Sequence, residues 1–214
     1  MLGQSISRNS IILGVFALLA AAALALTNMG TQDRIAKAER AAKQKALFEI
    51  VPPEQLDNDL LQDTINIPAS SIELLGVSDQ PIYLARRQGK VTALIIPAMA
   101  HDGYSGDIAM IVGVNRDLTL AGVRVIAHKE TPGLGDKIEI KKSTWMLNFN
   151  GKSLQAPVTD EWLVKKDGGV FDQFAGATIT PRAVVKKIKE VLLFAQEHPE
   201  LFDTPAIETG DNHE

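Results

Sequence analysis

The N-terminal segment limits what this chain can fold into, because residues 11–26 form an unbroken run without polar side chains. No charged residue occurs between Arg8 and Asp33. With its small polar neighbours, the run is long enough to cross a bilayer as a helix. A cleavable signal peptide with Ala23-Leu24-Ala25 as its cleavage site is the competing interpretation. We expect residues 1–30 to be a retained single-pass membrane anchor, because the run is longer than the apolar region of a usual signal peptide.

Basic residues follow this run more densely than they precede it. Only Arg8 and the terminal amine come before the run. A count of positive charge therefore predicts that the following domain stays in the cytoplasm, although long domains can cross a membrane regardless of such charge. The basic residues that follow the run are Arg34, Lys37, Arg40, Lys43 and Lys45.

Beyond the anchor, the pattern predicts one α+β domain with a mostly antiparallel sheet and flanking helices. Residues 31–52 are polar, alanine-rich and helically spaced, which indicates a helical stalk that ends at a Pro-Pro pair. We expect the domain at residues 53–200 and an acidic tail at residues 201–214. Within the domain the predicted elements are a short helical piece at residues 56–63 and strands at residues 82–85, 91–96, 108–114 and 118–127.

The first candidate binding site is a helix start that small residues precede. Residues 172–181 read Asp-Gln-Phe-Ala-Gly-Ala-Thr-Ile-Thr-Pro, and apolar residues at helical spacing follow them. We expect Thr180 to be the N-cap and Pro181 the first residue of the helix. Unpaired N–H groups would then face Thr178, while Gly176 lets the backbone come close. The segment therefore suits a phosphate group, and a capped turn of small residues is the simpler interpretation.

Two further blocks upstream combine strand and turn signals. Residues 128–139 read His-Lys-Glu-Thr-Pro-Gly-Leu-Gly-Asp-Lys-Ile-Glu and follow a β-branched apolar segment. Asp136 and Glu139 have the spacing of a capping box, which predicts a helix that carries Ile138, Trp145 and Phe149. The other block, Gly103-Tyr104-Ser105-Gly106, precedes the strand predicted at residues 108–114.

Together these blocks resemble the FMN-binding domain found in the G subunit of the Rnf-type electron transport complex and in the C subunit of the sodium-pumping NADH:quinone reductase. The resemblance covers roughly residues 90–197 and the anchor. It implies that FMN is joined covalently, through a phosphate ester, to Thr178. Ala175 departs from the family pattern, which usually has Ser or Thr there. The other implied site residues are Asp172, Gly176 and Ala177 in the same motif, Thr131, Leu134 and Gly135 in a loop against the flavin ring, and Tyr104 as a nearby aromatic residue.

The resemblance also implies how the cofactor is acquired. A threonine hydroxyl is a poor nucleophile, and no side chain near Thr178 in sequence is an obvious base, so we do not expect self-attachment. A separate flavin transferase with FAD as donor is the implied partner for maturation. Once attached, the flavin carries the redox chemistry, so no turnover is expected from this chain alone.

The implied setting is a complex that couples electron transfer to ion translocation. Other membrane and peripheral subunits are the implied partners, and they link ferredoxin-type and nicotinamide redox pools. The implied location is the bacterial inner membrane, with the C-terminal domain in the periplasm, which is opposite to the side that the charge count predicts. The quinone-reductase subunit typically has a longer domain, so the compact length of this chain favours the Rnf-type subunit.

Some site residues have alternative interpretations. Thr180 could be the flavin acceptor in place of Thr178, but its position before a proline favours a cap. Tyr104 could plug the end of the sheet instead of contacting the flavin. Glu130 could donate a proton to the flavin, although an exposed loop carboxylate is the favoured interpretation. Trp145 and Trp162 are expected in the core or as surface anchors, and not as partners that stack on the flavin ring.

Composition excludes several other chemistries. The chain contains no cysteine, so cysteine-ligated clusters, thiol nucleophiles and disulfides are excluded. Its histidines lack metal-ligand spacing, no dinucleotide or Walker motif is present, and a formal net charge of −4 argues against nucleic acid as a partner. Two other classes remain: an anchored binding module without redox function, and a hydrolase built on His101, Asp102 and Asp107, for which no nucleophile or activated water is evident.

Overall fold

The computed structural model describes residues 10, 13–22, 37, 40–41 and 44–206. The chain divides into two compact units, Met1–Lys43 and Gln44–Glu214. In the first unit, residues 13–22 are helical and apolar side chains such as Phe16 and Leu18 are exposed. Apart from residue 10, the rest of the predicted anchor lies outside the described residues. No helix among the described residues is both long enough and apolar enough to cross a membrane.

The second unit is organised around an antiparallel five-stranded sheet, and its strands pair in chain order. All the predicted strands are present, which confirms the predicted α+β class with a mostly antiparallel sheet. The third strand runs on to Ala100, past its predicted end at residue 96. The strands are β1 Thr64–Ile65, β2 Ile82–Arg87, β3 Lys90–Ala100, β4 Ile108–Asn115 and β5 Leu120–Ala127.

Short helices lie before β1, between β1 and β2, and after β5, and one long helix follows near the end of the domain. Besides the helical residues 13–22 and 44–48, the α-helices of the described residues include α1, Ile72–Leu75, and α2, Ile179–Glu197. The remaining helical turns are 3₁₀ helices at Pro53–Gln55, Ala69–Ser71, Gly135–Ile138, Thr144–Phe149, Thr159–Glu161, Lys165–Asp167 and Pro199–Asp203.

A tight turn fixes the hairpin between β2 and β3. Gln88 and Gly89 both have positive φ angles, 54° and 74°. Positive φ at both central residues is the conformation of a type I′ turn, whose twist matches that of the strands it joins. The Gln-Gly pair therefore forms the two-residue turn that joins β2 to β3.

Helix α2 covers one face of the sheet, where it packs against β3 and β4. Its apolar residues share one large core with Leu94, Ile96 and Val112 of these strands. Burial of each large apolar side chain stabilises the fold by about 1.5–3 kcal/mol. Ala183 and Phe194 of α2 lie in this core, together with all the residues whose spacing predicted the helix: Val184, Val185, Ile188, Val191, Leu192 and Ala195.

The chain that precedes the sheet covers the opposite face. Leu47, Ile50 and Val51 form a second core with inward-facing residues of β2 and β3. The packed residues thus begin within the predicted stalk, and Phe202 extends the larger core beyond the predicted start of the tail. The division of the chain into anchor, stalk, domain and tail stays a prediction.

The helical piece predicted at residues 56–63 is wrong, because the segment forms turns. The side chain of Asn58 donates to the carbonyl of Leu84 over 2.8 Å and accepts from the N–H of Arg86 over 2.9 Å. The N–H of Leu84 in turn donates to the carbonyl of Asp63 over 2.9 Å. The polar groups of this segment therefore bond to the edge of β2, a long-range pairing that local spacing does not encode.

Candidate functional site

Helix α2 begins at Ile179, two residues before its predicted start. Thr178 occupies the N-cap position with φ −78° and ψ −30°, and no side chain caps the helix. Thr180, the predicted N-cap, lies inside the first turn with 0% of its surface exposed. Its hydroxyl donates to the carboxylate of Glu130. The prediction that Thr180 caps the helix is therefore wrong, because Glu130 supplies a buried acceptor for its hydroxyl.

Thr178 differs from Thr180 in accessibility. Its side chain is half-buried, and its hydroxyl forms no hydrogen bond with another residue that the structure describes. An enzyme that modifies a threonine must reach the hydroxyl oxygen. Of the two threonines in the motif, Thr178 therefore presents its oxygen and Thr180 does not.

The turn before Thr178 lies beside the block at residues 128–139. Gly176 has a φ of 78°, a left-handed conformation that favours glycine. The N–H of Ala177 donates to the carbonyl of Phe174 over 3.1 Å and closes the turn. A Cβ on Gly176 would lie 3.7 Å from Cδ2 of Leu134, its one close neighbour. The fold therefore places Gly176, in the turn before Thr178, beside Leu134.

Glu130 is buried, with 4% of its surface exposed. One carboxylate oxygen accepts the N–H of Ser105 over 3.0 Å, and the other accepts the hydroxyl of Thr180. The expectation that Glu130 is an exposed loop carboxylate is therefore wrong. Its burial depends on contacts with two segments that are distant in sequence, so nothing beside it in the chain indicated it.

The loop at residues 131–136 is a closed turn. Thr131 is half-buried. Its carbonyl accepts the N–H groups of Leu134 and Gly135 over 3.1 Å each. The carboxylate of Asp136 accepts the N–H of Gly133 over 2.8 Å. Gly135 is buried, and a Cβ there would lie 2.8 Å from Oε2 of Glu130. Gly135 thus faces Glu130, whereas Leu134 faces solvent.

The helix predicted from Asp136 to Phe149 is wrong in form. Asp136 does not cap it, because its carboxylate is bonded back to Gly133. Two 3₁₀ helices take its place, and the second begins where the hydroxyl of Ser143 accepts the N–H of Trp145 over 3.1 Å. Trp145 is buried, as expected of a core residue.

Three apolar side chains near the motif remain exposed. Tyr104 is 67% exposed, so it does not plug the end of the sheet. Leu134 and Ile179 are 42% and 43% exposed. Each comes from a different one of the three sequence blocks, and hydrogen bonds through Glu130 join the segments that carry Tyr104 and Ile179. Exposed apolar surface of this kind suits a flat ring that is itself largely apolar.

Two ion pairs lie beside residues 172–178, which are called the acceptor loop because they lead to Thr178. Asp172 is exposed, and its carboxylate lies 2.6 Å from Nζ of Lys165. The guanidinium of Arg182 donates to both carboxylate oxygens of Asp167 over 2.6 and 2.9 Å. These hydrogen bonds from Arg182 hold the pKa of the Asp167 carboxyl below its ordinary value. The sequence did not indicate Arg182 and Asp167 as parts of this site, because a bidentate pair across a loop has no local signature.

The residues at the start of α2 fit a phosphate ester. The first N–H groups of a helix have no partner within the helix, and the positive end of its dipole favours an anion. Gly176 keeps the approach open, since a Cβ would meet only Leu134 within 4 Å. No cluster of metal-ligating side chains is found among the described residues. The N–H groups and the open approach at Gly176 therefore suit an esterified phosphate at Thr178.

Comparisons with known proteins identify the family. A family described as FMN-binding domain matches residues 103–193, and one described as RnfG N-terminal region matches residues 1–50. A Pseudomonas aeruginosa protein, named as the G subunit of an ion-translocating oxidoreductase complex, is 47% identical over 208 residues, which cover 97% of this chain and 96% of that protein. The chain belongs to the RnfG family.

Other members of the RnfG family resemble the chain over nearly their full length. A Shewanella amazonensis protein with the same name is 45% identical over 94% of both chains. The Vibrio cholerae protein of this name is 43% identical over 91% of this chain and 92% of its own length. The FMN-binding match spans all three sequence blocks, so the resemblance stated from those blocks is confirmed for the Rnf-type subunit.

Proposed function

We propose that this chain is an electron-transfer subunit of an ion-translocating oxidoreductase complex and carries FMN esterified to Thr178. The accessible hydroxyl of Thr178 at the start of α2 is the observation that carries the proposal. Membership of the RnfG family and the FMN-binding match support the choice of cofactor. Bound FMN would supply the redox chemistry, since flavins accept and release electrons and protein side chains do not do so readily.

The surrounding residues hold and shape the site in this proposal. The N–H groups of the first turn of α2 bind the phosphate oxygens, because the helix start is electropositive. Gly176 and Ala177 leave space for the phosphate. Leu134 and Tyr104 provide apolar surface for the ring, while Thr131 and Gly135 fix the turn that presents Leu134. The low polarity of this surface reduces water access to the ring.

Attachment requires a separate flavin transferase in this proposal. Glu130, the buried carboxylate that contacts the motif, is bonded to Thr180 and Ser105, so it is not placed to deprotonate Thr178. Asp172 lies in solvent ahead of the ester position in the chain, where a second protein can contact it. We propose that the transferase recognises Asp172 and the small residues that follow it.

The proposed setting is the bacterial inner membrane. Residues 1–30 would anchor the chain as a single-pass helix, and residues 31–52 would form the stalk. Residues 53–200 would form the FMN-binding domain on the periplasmic side, followed by the tail at residues 201–214. The other membrane and peripheral subunits of the complex are the proposed electron donors and acceptors, and nucleic acid is not a partner.

The experiment that tests this function combines loading and reduction. The full chain is produced together with an active flavin transferase, purified in detergent, and denatured and washed to remove loosely held flavin. We expect refolded chain to keep a flavin absorption band that dithionite bleaches and air restores, and we expect Thr178→Val to lack the band. Wild-type chain without flavin under these conditions would instead support an anchored binding module.

A further inference from the structure

The Glu130 carboxylate joins all three sequence blocks of the site. Glu130 belongs to the block at residues 128–139. Its carboxylate accepts the N–H of Ser105 from the block at residues 103–106 and the hydroxyl of Thr180 from the block at residues 172–181. Thr180 is two residues from Thr178, and Ser105 is adjacent to Tyr104. One side chain therefore fixes the neighbours of both the proposed flavin acceptor and the exposed aromatic residue.

Glycines lie beside this carboxylate, one in the segment that carries Ser105 and one in the same block as Glu130. A Cβ on Gly103 would lie 2.9 Å from Oε1 of Glu130 and closer still to the carbonyl oxygen of Gly106. A Cβ on Gly135 would lie 2.8 Å from Oε2 of Glu130 and 2.9 Å from Oγ1 of Thr180. Contacts this short force a displacement, so any larger residue would push the carboxylate away from its donors.

The main chain of Glu130 is held as well. Its N–H donates to Nδ1 of His128 over 3.0 Å, so Nδ1 is the acceptor nitrogen of this ring. Nε2 of the same ring lies 2.9 Å from the carboxylate of Glu139 and carries the proton. Both the backbone and the side chain of Glu130 are therefore fixed.

Glu130 has no cationic partner among the residues that the structure describes, although it is buried. A buried carboxylate without a counter-ion depends on the hydrogen bonds it accepts, because burial removes the water that would otherwise solvate it. Loss of either donor leaves the carboxylate poorly solvated, and it then moves or draws in water. The hydrogen bonds that Glu130 accepts thus make the position of Thr180 strict.

We propose that Glu130 is a positioning residue that sets the start of α2, and with it the Thr178 hydroxyl, for attachment of the flavin. Glu130 acts through Thr180 and does not touch the reacting oxygen. The inference rests on the proposed function, because it concerns the same acceptor threonine. It adds that the second threonine of the motif serves as the link, and that the two glycines serve to admit the carboxylate.

The test measures the rate of FMN attachment to the full chain in detergent with purified flavin transferase and FAD, followed by flavin fluorescence after denaturation. Thr180→Val removes the hydroxyl and keeps the shape of the side chain. We expect it to slow attachment about tenfold, the factor that corresponds to about 1.4 kcal/mol. Thr180→Ser restores the hydroxyl, and we expect a rate within about twofold of wild type.

Thr92→Val is the matched control. Thr92 lies on β3, and its hydroxyl donates to the carbonyl of Ala85 on β2 over 3.1 Å. Loss of this hydroxyl removes one hydrogen bond without affecting Glu130. We expect a wild-type attachment rate for this variant. Equal rates for wild type, Thr180→Val and Thr92→Val would overturn the positioning role. If the wild type itself is not labelled, the proposed function fails instead, so the two failures are distinguishable.

A second variant keeps the test decisive if Thr180→Val does not fold. Glu130→Met has a side chain of similar length and removes the buried carboxyl group, a change that folded proteins often tolerate. It leaves both donors without their acceptor, so we expect attachment at least about tenfold slower than wild type. A folded Glu130→Met chain that is labelled at the wild-type rate would overturn the inference.

Discussion

The indole Nε1 of Trp145 donates a hydrogen bond of 2.8 Å to the main-chain carbonyl of Asp172. The indole also packs edge-on against Phe174, with ring centroids 5.0 Å apart. The core thereby holds the first residues of the acceptor loop, while the side chain of Asp172 stays in solvent. A buried tryptophan thus determines where an exposed carboxylate is presented.

Replacement of Trp145 tests this support. We expect Trp145→Phe to lower the free energy of unfolding by about 1–3 kcal/mol, because a hydrogen bond and part of the ring volume are lost. We also expect slower FMN attachment, because the loop is less well held. Trp162→Phe is the control, since Nε1 of Trp162 donates to the carbonyls of Ser153 and Pro157, away from the acceptor loop. Chemical denaturation should show similar losses for both variants; equal attachment rates would contradict the support role.

Gly176 offers a test of backbone conformation. An alanine there would meet Leu134 at an ordinary contact distance of 3.7 Å, so the cost comes from the positive φ of 78°. We expect Gly176→Ala to lower stability by about 1–2 kcal/mol and to slow attachment. Gly168, with a φ of 90° and nothing within 4 Å of an added Cβ, is the matched control. Gly168→Ala should lose similar stability on denaturation and keep its attachment rate; a wild-type rate for Gly176→Ala would argue against a role for this turn.

Substitutions of Asp172 and Lys165 can separate recognition by the flavin transferase from stability of the fold. Their exposed ion pair, with atoms 2.6 Å apart, is of a kind that contributes about 0–1 kcal/mol. We expect Asp172→Ala to leave the unfolding free energy nearly unchanged and to reduce flavin attachment, because the transferase loses the carboxylate it contacts. Lys165→Ala removes the partner only, and we expect normal attachment. Full labelling of Asp172→Ala, measured by flavin fluorescence after denaturation, would defeat this recognition role.

The ion pair between Arg182 and Asp167 should make the stability of the fold depend on pH. Hydrogen bonds from Arg182 lower the pKa of Asp167 below its ordinary value of 3.8. A carboxyl whose pKa is lowered by folding stabilises the fold above its ordinary pKa, and this contribution is lost as the pH falls through the lowered pKa. We expect wild type to be more stable than Asp167→Asn near neutral pH, and the difference to shrink as the pH falls below 3.8. Asp160→Asn, the same substitution at an exposed aspartate, provides the control. Denaturation curves with a constant difference for Asp167→Asn would contradict the prediction.

Local patterns predicted the elements of the fold well. The apolar spacing of residues such as Val184, Ile188 and Val191 placed α2, and the turn residues between strands placed the sheet. The motif likewise identified Thr178 and Gly176 as residues of one turn. These features are local in sequence, so periodicity and turn chemistry are sufficient to indicate them.

Two details that the sequence did not reveal have different physical origins. Thr180 has the local signature of a cap, yet its hydroxyl donates to Glu130, which lies fifty residues earlier. Only the folded chain brings these two side chains near each other. Asp136 has the local signature of a capping box, yet its carboxylate accepts the N–H of Gly133, three residues earlier. Here two local partners compete for one side chain, and residue spacing does not show which of them is chosen.

The site of flavin attachment is the central claim, and intact mass with peptide mapping tests it most directly. The full chain is produced with an active flavin transferase, alongside Thr178→Val, in which a half-buried residue loses one hydroxyl and stability should change by less than about 0.5 kcal/mol. The account predicts a gain of one FMN minus one water on the peptide that contains Thr178 in the wild type, and no gain in the folded variant. An unmodified wild-type peptide, or the same gain in Thr178→Val, would contradict it.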